Sequence, residues 1–91
     1  MVFPIGKMAK SPSEPIAIRS AAELGAIVRQ ARHEGAADQA STAALAGVGV
    51  RFLGDVERGK PSVRLGLVLQ VLQRLGLEVW IAPRGWRPRD R

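Results

Sequence analysis

The stretch Asp38-Gln-Ala-Ser-Thr-Ala-Ala-Leu-Ala-Gly-Val-Gly-Val-Arg-Phe-Leu-Gly-Asp-Val-Glu-Arg-Gly-Lys60 decides the fold. Two short helical patterns meet at Gly47-Val48-Gly49, a turn of the length that joins the two helices of a helix-turn-helix. On the first helix Ala43, Leu45 and Ala46 supply apolar contacts, and on the second Leu53 and Val56 sit three apart and point the same way. Both faces are expected to converge on one core, which leaves Val50, Arg51, Gly54 and Asp55 toward solvent. A helix with an apolar back and one planar donor fork, Arg51, near its N-terminus has the layout of an element whose first turn meets base edges in a major groove. The stretch therefore implies binding of double-stranded DNA.

Working outward, Asp38 is a good N-cap for a helix to about Ala46, and Gly47 is its natural left-handed stop. The next helix covers about 50 to 57 and ends at Gly59. Upstream, Ser20-Ala21-Ala22-Glu23 is a capping box. It starts a helix over about 21 to 34, with Leu24, Ile27, Val28 and Ala31 on the buried stripe and Gly35 ending it. Downstream, Pro61-Ser62 is read as the opening of a fourth helix carrying Leu65, Val68, Leu69, Leu72 and Leu75, stopped by Gly76. With Leu67 and Val71 also apolar, that stripe is wider than a small core requires, which favours a dimer contact. Leu77-Glu78-Val79-Trp80-Ile81 alternates with period two and reads as a short strand. A lone strand is unstable in water. It must pair with the weaker strand pattern at 16 to 19, with a second subunit, or with both.

Ninety-one residues allow one domain, and a chain of this size buries only about two-thirds of its unfolded surface. A partner chain would add stability. The expected organisation is a mostly flexible, proline-rich arm over 1–19, a helix-turn-helix DNA-binding and dimerisation domain over 20–82, and a basic tail over 83–91. The formal charge of +6 is concentrated at the ends, for the middle holds nearly equal numbers of basic and acidic residues. Long-range attraction to phosphate would thus come largely from the two ends. There is no cysteine and a single histidine. Without thiolates, a repeated metal-ligand spacing or a nucleophile motif, the sequence points away from an enzyme and toward a protein without cofactor or metal. His33 reads as a helix-surface histidine. No apolar run reaches the roughly 18 residues needed to span a bilayer, and Met1 to Gly6 is too short and broken for a signal peptide. A cytoplasmic, nucleoid-associated location is expected.

From Leu24 to about Pro83 the chain resembles the lambda-repressor-like, Xre-type helix-turn-helix family, and within it the HipB-type antitoxins. The residues that carry this are Arg32, Gln39, Ala43, Gly47-Val48, Leu53 and Val56-Glu57-Arg58-Gly59-Lys60-Pro61, followed by the leucine-rich helix and Gly76-Leu77-Glu78-Val79-Trp80-Ile81. The resemblance implies a mainly α fold of four to five helices, with a C-terminal β-strand pairing in a homodimer that reads an inverted-repeat operator. It further implies that Gln39 holds a phosphate or base edge, that Gly49, Val50, Arg51 and Asp55 lie in the major groove, and that Lys60 and Arg58 lie against the backbone. Glu57 would pair with Arg32 in a structural role.

This sequence departs from the family pattern at Thr42, where leucine is usual, at Ala36, where glycine is usual, and at Gly49 and Gly54, where hydrogen-bonding side chains are usual. The reading surface is therefore sparse. Arg51 is the strong reader, suited to bidentate bonding with guanine. Asp55 would either accept from cytosine N4 or pair with Arg51 at i, i+4. The function implied is a DNA-binding antitoxin of a type II toxin-antitoxin pair, repressing its own operon and binding a HipA-like serine/threonine kinase toxin. Trp86 in the arginine-rich tail is the candidate anchor for that partner. The alternatives are a stand-alone repressor and a protein-interaction module with weak DNA binding.

Overall fold

The computed structural model describes residue 12 and residues 14–86, among which there are four helices: α1 (Ala21–Glu34), α2 (Gln39–Ala46), α3 (Val50–Glu57) and α4 (Leu65–Arg74). Lys7, Lys10 and most of the N-terminal arm, together with Arg87, Arg89, Asp90 and Arg91 of the tail, lie outside the described residues. The Ser20 hydroxyl accepts from the Glu23 amide at 3.1 Å. The Glu23 carboxylate reaches the Arg19 amide, one residue before the partner a capping box expects. Asp38 caps α2 by accepting from the Ser41 amide at 2.8 Å. The fourth helix begins at Leu65 and not at Pro61-Ser62. Residues 61–63 are spent in a turn that places Val63 against the core before the helix starts.

All four helices end in the same way. One of the two residues that follow the helix turns left-handed, and two amides fold back onto carbonyls of the last turn. After α3, the Gly59 amide donates to the Val56 carbonyl and the Lys60 amide to the Asp55 carbonyl, both at 3.0 Å. Gly47, Gly59 and Gly76 take the left-handed position with φ of 77°, 83° and 78°. After α1 it falls to Ala36, with φ 55°, while Gly35 keeps φ −81°. Gly35 therefore stands one residue too early to relieve the turn. A Cβ in this conformation costs about 1–2 kcal/mol. The cost is offset locally, because the Arg32 guanidinium donates to the Ala37 carbonyl at 2.9 Å and holds the chain in place beyond the turn.

α1 packs on α3, α3 on α2, and α2 on α4. The core consists of Val28, Ala43, Ala46, Leu53, Val56, Val68, Val71 and Leu72, with Leu24, Val48, Phe52, Val63, Leu75 and Leu77 packed around it. Two helix faces differ from expectation. On α2 the inward residues are Thr42, Ala43 and Ala46, and Leu45 is 63% exposed. On α1 the buried stripe is Gly25, Val28, Ala31 and Arg32, with Leu24 and Ile27 at its edges. Gly25 explains the rotation: a Cβ there would stand 2.3 Å from the Val56 carbonyl oxygen, so α1 meets the end of α3 backbone to backbone. Among the described residues no strand is formed, and the segments at 16–19 and 77–81 do not pair with each other in the single chain. Val79, Trp80 and Ile81 remain exposed, as do Leu65 and Leu69 of α4.

Arg32 and Glu57 join α1 to α3 through two parallel bonds, Nε to Oε2 at 2.6 Å and Nη2 to Oε1 at 2.9 Å, with side chains only 10% and 4% exposed. Burial pushes the Glu57 carboxyl up, but hydrogen bonds from Arg32 and Gln39 and the charges of Arg32 and Arg29 outweigh it, leaving the group below the ordinary glutamate range. The Glu57 hydrogen bond likewise raises Arg32. A carboxylate lowered in the folded state adds stability that is complete above its unfolded-state value and is lost as pH falls through its folded-state value. Unfolding free energy measured in urea should therefore drop on acidification below the ordinary glutamate range, and Glu57→Gln should flatten that part of the pH profile. Near neutral pH, Glu57→Ala leaves a buried guanidinium without its anion, with an expected loss of about 3–5 kcal/mol.

Candidate nucleic-acid interface

The turn after α2 determines what α3 presents. Gly47 reverses the chain and Val48 tucks into the core, so Gly49 becomes the N-cap of α3 with no side chain to cap it. Nothing lies within 4 Å of where a Gly49 Cβ would stand. Val50, half-exposed, and Arg51, exposed, follow on the first turn. Among the described residues no hydrogen bond or ion pair holds the Arg51 guanidinium. Gly49, Val50 and Arg51 thus form a bare helix start with one mobile donor fork, able to approach a base edge closely and to offer bidentate donors to an acceptor pair.

The other end of α3 differs from the sequence reading. Asp55 does not pair with Arg51. Its Oδ1 accepts from the Arg58 guanidinium at 2.5 Å, and its Oδ2 lies 3.7 Å from the Lys60 ammonium. Arg58 is three residues ahead of Asp55, within reach across one helical turn. Gly54, expected on the surface, is buried. Arg58 lies across it, and a Cβ at Gly54 would sit 3.1 Å from the Arg58 guanidinium. The structure therefore brings Asp55, Arg58 and Lys60 into one cluster in which Arg51 makes no bond.

Gln39 is the first residue of α2, and its amide nitrogen donates to Glu57 Oε1 at 3.0 Å. It is thereby tied to the Arg32–Glu57 pair, which it extends to a third helix. Next to it, hydrogen bonds from the Ser41 amide and hydroxyl lower the Asp38 carboxyl, so the N-terminus of α2 already carries an anion. Trp86 stands apart from all of these. It follows a turn closed by its own amide on the Pro83 carbonyl at 3.1 Å, and its ring meets that of Trp80 with centroids 6.4 Å apart. The Trp80 indole donates to Glu78 at 3.1 Å.

Three contributors to this interface escaped the sequence reading. The Ala37 carbonyl anchors Arg32, Gly25 lets α1 reach α3, and Gly54 provides the berth for Arg58. Only the two glycines carried a signal, as glycines inside helical patterns mark close approaches.

No family model matches the chain. An uncharacterized HTH-type transcriptional regulator, y4mF of Sinorhizobium fredii (strain NBRC 101917 / NGR234), is 47% identical over 70 residues, covering 77% of this chain and 92% of its own length. Among solved structures, a HipB-O4 20mer complex is similar at a TM-score of 0.70 with 18% identity, covering 77% of this chain and 99% of its own. A HipA-HipB-O2-O3 complex is similar with the same values. These two show that the four helices are arranged as in HipB. At 47% identity over most of both chains, the protein belongs to the family of HTH-type transcriptional regulators.

Proposed function

We propose that this chain is the DNA-binding antitoxin of a type II toxin-antitoxin pair: a homodimer that binds an inverted-repeat operator, represses its own operon in the cytoplasm, and holds a HipA-like serine/threonine kinase toxin. The observation that carries the DNA-binding part is Arg51, exposed and unheld on the open first turn of α3. In this reading Gly49 admits the backbone close to DNA, Val50 offers methyl groups to thymine, and Arg51 bonds guanine. Gln39, Arg58 and Lys60 face phosphates on either side.

Dimerisation is supported by the apolar surface left open in the single chain. Leu65 and Leu69 are exposed one turn apart on α4, and Val79 and Ile81 alternate along 77–81 with no ladder partner among the described residues. Pairing 77–81 with the same segment of a second copy would satisfy its backbone and cover those side chains. The toxin role is supported by the HipB-like arrangement of the helices, since one of the similar structures is a HipA-HipB-O2-O3 complex. The Trp80–Trp86 pair adds an exposed aromatic surface of the kind that anchors protein interfaces. A stand-alone repressor is the second reading, favoured by the relative that is named a transcriptional regulator. A kinase-like reading frame beside the gene separates the two.

Arg51→Ala should weaken binding to a duplex selected by the wild-type protein by about 1–3 kcal/mol. Binding to a random duplex should stay nearly the same in fluorescence anisotropy at fixed salt, and an equal loss on both would remove Arg51 as a reader. A chain ending at Pro83, which lacks Trp86, should lose most of its capture of the co-expressed kinase; undiminished capture would take the tail out of the interaction.

A further inference from the structure

We infer that Asp55 is a specificity-determining residue that reads no base: its carboxylate occupies Arg58 and Lys60 and so suppresses sequence-independent attraction to DNA. The inference rests on the DNA-binding reading and gives a role to a carboxylate that would otherwise oppose phosphate. Its basis is geometric. Both oxygens of Asp55 are engaged, Oδ1 by Arg58 and Oδ2 by Lys60, and its side chain is 23% exposed beneath cations that are 68% and 53% exposed. Arg58 lies over Gly54, where a Cβ would stand 3.1 Å from its guanidinium. Lys60 is set there by the helix ending itself, in which its amide is bonded to the Asp55 carbonyl at 3.0 Å. Two separate features therefore bring the cations to the carboxylate.

The physical consequence follows from counterion release. A cation still held by a carboxylate neutralises less phosphate charge, so fewer of the counterions condensed on the duplex are released, and the carboxylate repels the phosphate. Exposed pairs of this kind are weak. Arg58 and Lys60 can therefore transfer to phosphates where the rest of the interface fixes the register, and they gain little on a random duplex. Arg51 lies outside the cluster, and its contribution is untouched. The specificity ratio rises because the wrong partner is penalised, not because the right one is bound more tightly.

The test compares wild type with Asp55→Asn on a random-sequence duplex and on a duplex selected by the wild-type protein from a random pool, across a salt series. Asp55→Asn should raise random-duplex affinity by about threefold to tenfold and steepen the salt slope by about one per subunit. Selected-duplex affinity should rise less, so the ratio falls. Asp55→Ala, which removes the carboxylate in a different way, should shift the random duplex in the same direction, and thermal melting of both variants guards against a folding defect. A fall in selected-duplex affinity alone would make Asp55 a base acceptor and overturn the inference, as would an unchanged random-duplex affinity and slope in both variants. Wild type that binds neither duplex at low salt would overturn the DNA-binding reading together with it.

Discussion

The buried bond between Arg32 and Glu57 is the constraint on which the rest of the structure depends. Arg32 comes from α1, Glu57 ends α3, and Gln39 at the start of α2 donates to the same carboxylate. Three helices thus meet at one charge pair, and a third bond from Arg32 fixes the α1–α2 linker at Ala37. Such a pair is costly to bury, and its net stabilisation is small compared with what breaking it would cost. What it provides is registry. Apolar contacts among small residues such as Ala43, Ala46 and Val56 would tolerate some sliding, whereas a bidentate guanidinium–carboxylate pair permits one position.

That registry fixes the orientation of α3. With its C-terminal end held by Glu57 and by the backbone contact at Gly25, and its middle pinned by Leu53, the first turn projects Val50 and Arg51 outward. The two ends of the helix then divide the electrostatic work. The N-terminal end offers a single uncommitted cation, and the C-terminal end offers two cations already answered by Asp55. A face with so few uncommitted charges gains little from long-range attraction and depends on correct docking. Duplication in a dimer suits such a reader, because two modest half-sites held at fixed spacing multiply their discrimination.

How much of this the sequence disclosed depends on the kind of signal each element carried. The spans of α1, α2 and α3 were legible from Ser20, Asp38, Gly47 and Gly59, since caps and left-handed stops act locally. Rotational phase was harder to read. Alanines dominate α2, so Leu45 drew the expected core face toward itself although it points to solvent. On α1 the buried stripe contains Gly25 and Arg32, neither of which registers as hydrophobic. Gly35 ends α1 as read, although the left-handed turn falls to Ala36. The start of α4 was misplaced because Pro61-Ser62 imitates a helix opening, while the need to bring Val63 to the core is a tertiary demand. Pairing choices such as Asp55 with Arg58 in place of Arg51 depend on side-chain direction along the helix, which spacing alone leaves open.

The proposed function requires α3 to read DNA as one of a symmetric pair. Hydroxyl-radical footprinting of the purified protein on the DNA upstream of its own gene tests it most directly. Two protected segments should appear, related as an inverted repeat and separated by about 10 base pairs or a multiple of that turn. A single protected segment, or uniform protection with no phase, would contradict a dimeric reader built on this fold.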